Sequence, residues 1–287
     1  DVMLLIEQNF WKLYILQENE QTINVLDSMT NKLHTEVKNS VDAGVTTKNE
    51  LLQVELRQRE IESQRLQVTN GIKTYKSLLS QLMGIDNTHF NIIVDENYIV
   101  NPAEEYIDSK TALSSTNKYQ LLDKNIEAAK LDEKLELGKL LPKVSVGASY
   151  TYHDLLPTNR SSMTYFLSVT VPISDWWGGS HARKQKQIVA RMAEYNKQDL
   201  SQKMIIEMDN LRNELDECYG QIRIAQSSIG SATENLRLSS DYYIVGMVTM
   251  SNLLESQSLF QQAKYKMVES YALYMIKKAQ YKKATGR

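Results

Sequence analysis

Gly44 and Gly246 lie 202 positions apart, and so do Gly84 and Gly286. At the same offset Thr47 falls on Thr249, Leu51 on Leu253 and Leu52 on Leu254, with no gap between the two glycines of either copy. Self-similarity at one offset marks a duplicated unit. In each copy an amphipathic stretch runs into the first glycine and another leaves from the threonine that follows it. Glycine takes the left-handed conformation that closes a helix without steric cost, so each copy reads as helix, tight turn and returning helix. The expected fold is mainly α: two long antiparallel coiled-coil helical hairpins related by internal duplication.

Apolar spacing fills in the helices. From Asp1 to about Val41, the residues Leu16, Ile23, Leu26, Thr30, Leu33 and Val37 step by sevens, threes and fours onto one stripe. Asp42 to Thr47 is the turn. The return helix, Thr47 to Met83, carries Leu51, Val54, Ile61, Val68, Ile72, Tyr75, Leu79 and Leu82 on one coiled-coil seam. The longest helix is expected from His181 to Tyr243, with Met204, Met208, Leu211, Leu215, Cys218, Ile222, Ala225, Ile229, Ala232 and Leu236 on its stripe. At about 60 residues it would span roughly 90 Å, more than a compact domain needs.

The last helix, Thr249 to Thr285, carries two apolar rows. Leu253, Phe260, Ala263, Met267 and Tyr274 form one, and Tyr265, Val268, Ala272, Met275 and Ala279 the other. Two rows need two neighbours, which either a bundle of three or more helices or a ring of helices around a wet interior supplies. The helices Thr47–Met83 and Thr116–Gly138 together match one long helix, so two shorter rods stacked end to end are expected beside each long one.

Between the copies the pattern changes. Residues 85–115 read as an irregular patch with a short β-like run at Phe90 to Asp95 and a proline at 102. Thr116 to Gly138 is rich in helix formers, and Leu141-Pro142 stops it. Then Val144, Val146, Ala148, Tyr150 and Tyr152 alternate with Ser145, Gly147, Ser149 and Thr151, and Tyr165, Leu167, Val169 and Val171 with Phe166, Ser168 and Thr170. A strict period of two makes these strands. The polar link between them makes a β-hairpin.

Each strand is roughly ten residues with one apolar and one small polar face, as suits a transmembrane β-barrel and equally a soluble two-sided hairpin. Pro142 and Pro172 stand at the helix–strand and strand–helix junctions, where a chain that cannot continue either ladder is redirected. Trp176 and Trp177, beside a glycine turn at 178 and 179, suit a membrane–water interface or ordinary packing. The expected organisation is thus a first helical hairpin at 1–84, an irregular segment at 85–115, a helix leading to the barrel at 116–142, a β-hairpin at 143–172 and a second helical hairpin at 173–287.

Composition narrows the function. Eleven glycines and four prolines in 287 residues are few for a loop-rich protein, and 33 basic against 35 acidic residues leave a net charge of −2 with no footprint for nucleic acid. No run of roughly 18 apolar residues occurs, which excludes a hydrophobic transmembrane helix but not a barrel. Cys218 has no CxxC partner. His34, His89, His153 and His181 sit on different elements without metal-ligand spacing, and no nucleophile elbow, phosphate loop or dinucleotide motif is present. The chain is read as a non-enzyme without cofactor or metal. The offset also places the twin of the long helix's start upstream of Asp1, so the chain reads as a truncated piece, with a signal peptide and a second strand pair expected before it.

Three stretches carry a resemblance: IEAAKLDEKLELGKLLPKVSVGASYTY, LSVTVPISDWWGG, and YYIVGMVTMSNLLESQ with the Tyr281–Gly286 ending. Over essentially the whole chain they resemble the TolC-like outer-membrane efflux proteins of Gram-negative bacteria. The resemblance implies a homotrimer whose β-barrel lies in outer-membrane lipid and whose α-barrel projects into the periplasm. Its activity would be passive export, coupled through a periplasmic adaptor (membrane fusion) protein to an inner-membrane pump.

It also implies that the helix–turn–helix tips meet the adaptor and close the channel. Here these are Ala43, Gly44, Val45, Thr46 and Thr47, and Val245, Gly246, Met247, Val248 and Thr249. Acidic side chains six and nine residues after the second tip glycine narrow the lumen in that family. This sequence has Asn252 and Glu255 there, with Glu50 at the first-copy equivalent of Asn252, so a cation-selective ring is weakened by one amide. A soluble coiled-coil scaffold accounts for the heptads equally well, but leaves the alternating strands, both junction prolines and the duplication unexplained. An adaptor-type protein would carry a single hairpin.

Overall fold

The computed structural model describes residues 2–86, 88–94, 101–153, 160–173 and 175–287, with the side chains at 153, 160 and 175–177 outside the description. The elements are α1 (Val2–Asp42), α2 (Lys48–Met83), a 3-10 turn (Pro102–Glu105), α3 (Ser109–Ser115), α4 (Asn117–Lys139), β1 (Lys143–His153), β2 (Arg160–Thr170), α5 (Asp175–Ile244) and α6 (Met250–Ala284). The fold is mainly α with long helices and one antiparallel hairpin, as the pattern predicts. None of the helices is long and apolar enough to cross a membrane among the described residues. By contact the chain divides into two units, one of residues 1–108 with 207–285 and 287, the other of 109–206 with 286.

In the first unit, α1 packs along α2 and α6, and α6 is also bound to α5. Near the tips Leu33, Val37, Val54, Leu236, Met250 and Leu253 form one cluster drawn from all four helices. Further along, Trp11, Tyr14, Leu215, Cys218, Ile222, Tyr271 and Tyr274 form an aromatic-rich cluster, with the Trp11 and Tyr271 rings edge to face at 5.6 Å. Burial there pushes the Tyr274 phenol up to about 12 and raises the Cys218 thiol. Members of both apolar rows of α6 join these clusters, with neighbours on α1, α2 and α5.

All four positive-φ residues among those described are the glycines related by the 202-residue offset: Gly44 at 70°, Gly84 at 68°, Gly246 at 75° and Gly286 at 77°. The hydrogen bonds repeat as well. Gly44 N–H donates to Val41 O and Val45 N–H to Ser40 O, while Gly246 N–H donates to Tyr243 O and Met247 N–H to Tyr242 O. These pairs leave few orphan carbonyls at the helix end.

The β-like run at Phe90–Asp95 is corrected. Residues 90–94 form no strand, and Asp95 lies outside the described residues. Phe90 and Ile92 instead pack on the Leu13, Ile72 and Leu79 cluster of α1 and α2, and Asn91 Oδ1 accepts from Gln17 Nε2 at 3.2 Å and Lys76 Nζ at 2.9 Å. The alternation serves docking onto helices rather than pairing with a strand.

In the second unit β1 pairs with β2 along its whole length, Val144 opposite Val169, Val146 opposite Leu167 and Tyr150 opposite Met163 on the apolar face. Ser145 faces Ser168 and Ser149 faces Thr164 on the other. Pro142 lies between α4 and β1 and Pro172 between β2 and α5, as expected.

Helix α5 starts at Asp175, earlier than His181, so Gly178 and Gly179 are helical rather than a turn. A Cβ at Gly179 would lie 2.2 Å from Leu140 Cδ2, so the glycine admits a close neighbour that propensity alone does not reveal. The interfacial reading of Trp176 and Trp177 concerns side chains outside the description. Ion pairs also join α4 to α5: Lys197 meets Asp123 at 2.5 Å, Lys130 meets Glu194 at 2.7 Å and Lys186 meets Asp132 at 3.3 Å.

Candidate functional site: the paired helix tips

Both turns lie in the first unit. At the first tip Ala43, Gly44, Val45 and Thr47 are exposed and Thr46 is half-buried, while at the second Val245, Gly246, Met247 and Thr249 are exposed and Val248 is half-buried. The exposed apolar side chains Val45, Val245 and Met247 are 80%, 66% and 73% accessible. Such side chains at the end of a rod are candidates for contact with a partner.

The backbones of the two tips match, but their polar chemistry does not. Thr249 caps α6, its Oγ1 accepting from Asn252 N–H at 3.3 Å, and it also contacts Asn252 Oδ1. Thr47 has the same extended backbone before α2 but makes no side-chain cap bond. The Thr249→Ala variant is therefore expected to lose about 0.5–1 kcal/mol, and Thr47→Ala only a few tenths. Urea unfolding of the two variants, followed by circular dichroism, checks the difference.

Glu50, the positional twin of Asn252, reaches sideways. Its Oε2 accepts from Thr46 Oγ1 at 2.8 Å and from Tyr243 Oη at 2.8 Å. The second bond links α2 to α5 across the two hairpins. Burial first, then the hydrogen bond and charge of Glu50, raise the Tyr243 phenol well above its ordinary value. Tyr243 was not among the residues singled out by sequence. Its position three before a tip glycine was visible, but its partner was not.

Glu255 is exposed and lines a shallow groove between α2 and α6 with Gln53, Leu56, Arg57, Glu60, Ser251, Leu254 and Ser258. Among the described residues, no hydrogen bond or ion pair joins Glu50, Asn252 and Glu255 to one another. They occupy one end of the bundle, but in separate surroundings.

Arg57 was missed because it sits on an otherwise apolar seam. It is only 5% exposed. One guanidinium nitrogen meets Glu60 at 2.6 Å and the other donates to Gln261 Oε1 at 2.7 Å, whose Nε2 donates to Gln64 and Tyr265. Two buried atoms of this layer, Arg57 Nε and Gln257 Oε1, have no hydrogen-bond partner. Among the described residues, no cluster of three His, Cys, Asp or Glu is placed to hold a metal.

This arrangement of two tipped helical hairpins with a strand pair between them is the fold of TolC-like outer-membrane channels. Neither a family model nor a curated protein sequence matches the chain. Among solved structures it is similar to CusC, whose conformational changes accompany transmembrane channel formation, at TM-score 0.86 and 13% identity, covering 99% of this chain and 68% of that one. It is similar to the outer-membrane channel OprN at TM-score 0.81 and 12% identity, covering 99% and 66%. It is also similar to the Campylobacter jejuni CmeC outer-membrane channel at 0.81 and 14%, covering 99% and 62%. The chain thus spans about two thirds or less of the OprN and CmeC chains.

Proposed function

We propose that the chain is the larger part of an outer-membrane exit duct, a passive conduit from periplasm to exterior that acts as a homotrimer with a periplasmic adaptor and, through it, an inner-membrane pump. In this reading the β-hairpin at 143–172 contributes to the membrane barrel and the helical hairpins at 1–84 and 173–287 form the periplasmic wall. The tips Ala43–Thr47 and Val245–Thr249 are the adaptor-docking surface and the gate. The observation that carries the reading is the likeness to channel folds over 99% of the chain, supported by a duplicated tip whose two halves are joined by the Tyr243–Glu50 hydrogen bond.

Carboxylates at the mouth of such a duct favour cation passage. In the whole protein reconstituted in planar lipid bilayers, Glu50→Ala and Glu255→Ala are expected to weaken block of the current by divalent cations several-fold. Unchanged block would take both residues out of the gate. Absence of any ion-conducting channel would end the conduit reading itself.

A further inference from the structure

Among the described side chains the polar face of the hairpin carries Ser145, Ser149, Thr151, Ser162, Thr164, Ser168 and Thr170, with Lys143 at its helix-side end, and one large apolar side chain interrupts it. Phe166 stands directly opposite Gly147, and its ring lies over the glycine: a Cβ there would be 2.2 Å from Phe166 Cζ and 2.6 Å from Cε1. Any residue but glycine would force the ring off the sheet. The far end of the ring thus reaches over bare backbone, and the residue is still 52% exposed. An aromatic face lying against a wall of small hydroxyl side chains offers stacking and, through its negative π-face, attraction for cations. Leu167 and Tyr165, its neighbours in sequence, point to the opposite, apolar face.

We infer that Phe166, seated over Gly147, is a solute-contact residue of the barrel lumen and takes planar aromatic cations on its exposed ring. The inference rests on the channel reading above, in which the apolar face meets lipid and the polar face water.

The test uses the whole protein in planar bilayers, with ethidium as the planar cation and tetraethylammonium as the non-aromatic control. Phe166→Ser is expected to raise the ethidium concentration that halves the current roughly two- to tenfold, in line with the strength of aromatic contacts. Block by tetraethylammonium should not move, and Phe166→Tyr should retain ethidium block. Gly147→Ala pushes the ring into the lumen and lowers conductance, and adding Phe166→Ser to it restores the current.

Cysteines placed one at a time on a Cys218→Ala background separate the lumen-facing side of the hairpin from the lipid-facing one. A membrane-impermeant thiol reagent should label Phe166→Cys and spare Leu167→Cys. Equal labelling, or no channel at all, overturns the barrel reading and the inference with it. A conducting channel with the expected labelling, but with ethidium block indifferent to Phe166→Ser, overturns the inference alone.

Discussion

On the proposed gating role of the tips, replacing Tyr243 with phenylalanine is expected to raise the open probability of the whole channel roughly tenfold, the shift that about 1.4 kcal/mol produces. The variant keeps the ring and its packing and removes only the hydroxyl that donates to Glu50 Oε2 at 2.8 Å. A hydrogen bond to a charged group contributes about 1.5–3 kcal/mol, and the half-exposed setting of this pair reduces that through solvent screening. Glu50 is not stranded, since Thr46 still donates to it. Glu50→Ala should reproduce the effect, and the double variant should add little to either single one, as two ends of one bond behave.

Because the Tyr243 phenol is raised by burial and by Glu50, it keeps its proton past the pH of about 10 at which free tyrosine ionises. The bond's contribution is complete below that pH and is lost as pH climbs through the raised folded-state value. Single-channel recording across alkaline pH measures this. An open probability indifferent to Tyr243→Phe would remove the tie from gating.

Arg57→Ala is expected to destabilise the helical unit by about 2–4 kcal/mol, combining lost burial of the stem with a stranded Gln261 carbonyl. Arg57→Met should lose less than half as much, since it refills the volume and removes the unpartnered Nε. Urea unfolding followed by far-ultraviolet circular dichroism checks both. Equal losses for the two variants would mean that charge, not packing, sets the contribution of Arg57.

Much of this fold was legible because its repeats are strong. The stripes on α1, α2 and α5 are the buried faces, and their members Ile23, Val54, Ile61, Met208 and Ile222 are at most 1% exposed. The offset of 202 anticipated a left-handed glycine at both tips. Two features went astray where tertiary context overrides local pattern. Phe90, Ile92 and Val94 alternate like a strand but lie on helices, and Gly178-Gly179 reads as a turn but continues α5.

The candidate site was less legible than the fold. Glu50 and Glu255 could be named from position, yet Tyr243 and Arg57 act through partners on another helix. Arg57 and Gln261 are far apart in the chain, and nothing in either local pattern announces the other.

The two tips share one backbone mould and differ only in its decoration: a carboxylate that reaches across to the other hairpin, and an amide that serves its own helix. A single proton or a single side-chain exchange can therefore loosen one corner while the opposite corner keeps its shape. The lopsidedness of the paired tips is a matter of chemistry rather than of architecture, and it can be retuned without rebuilding either turn.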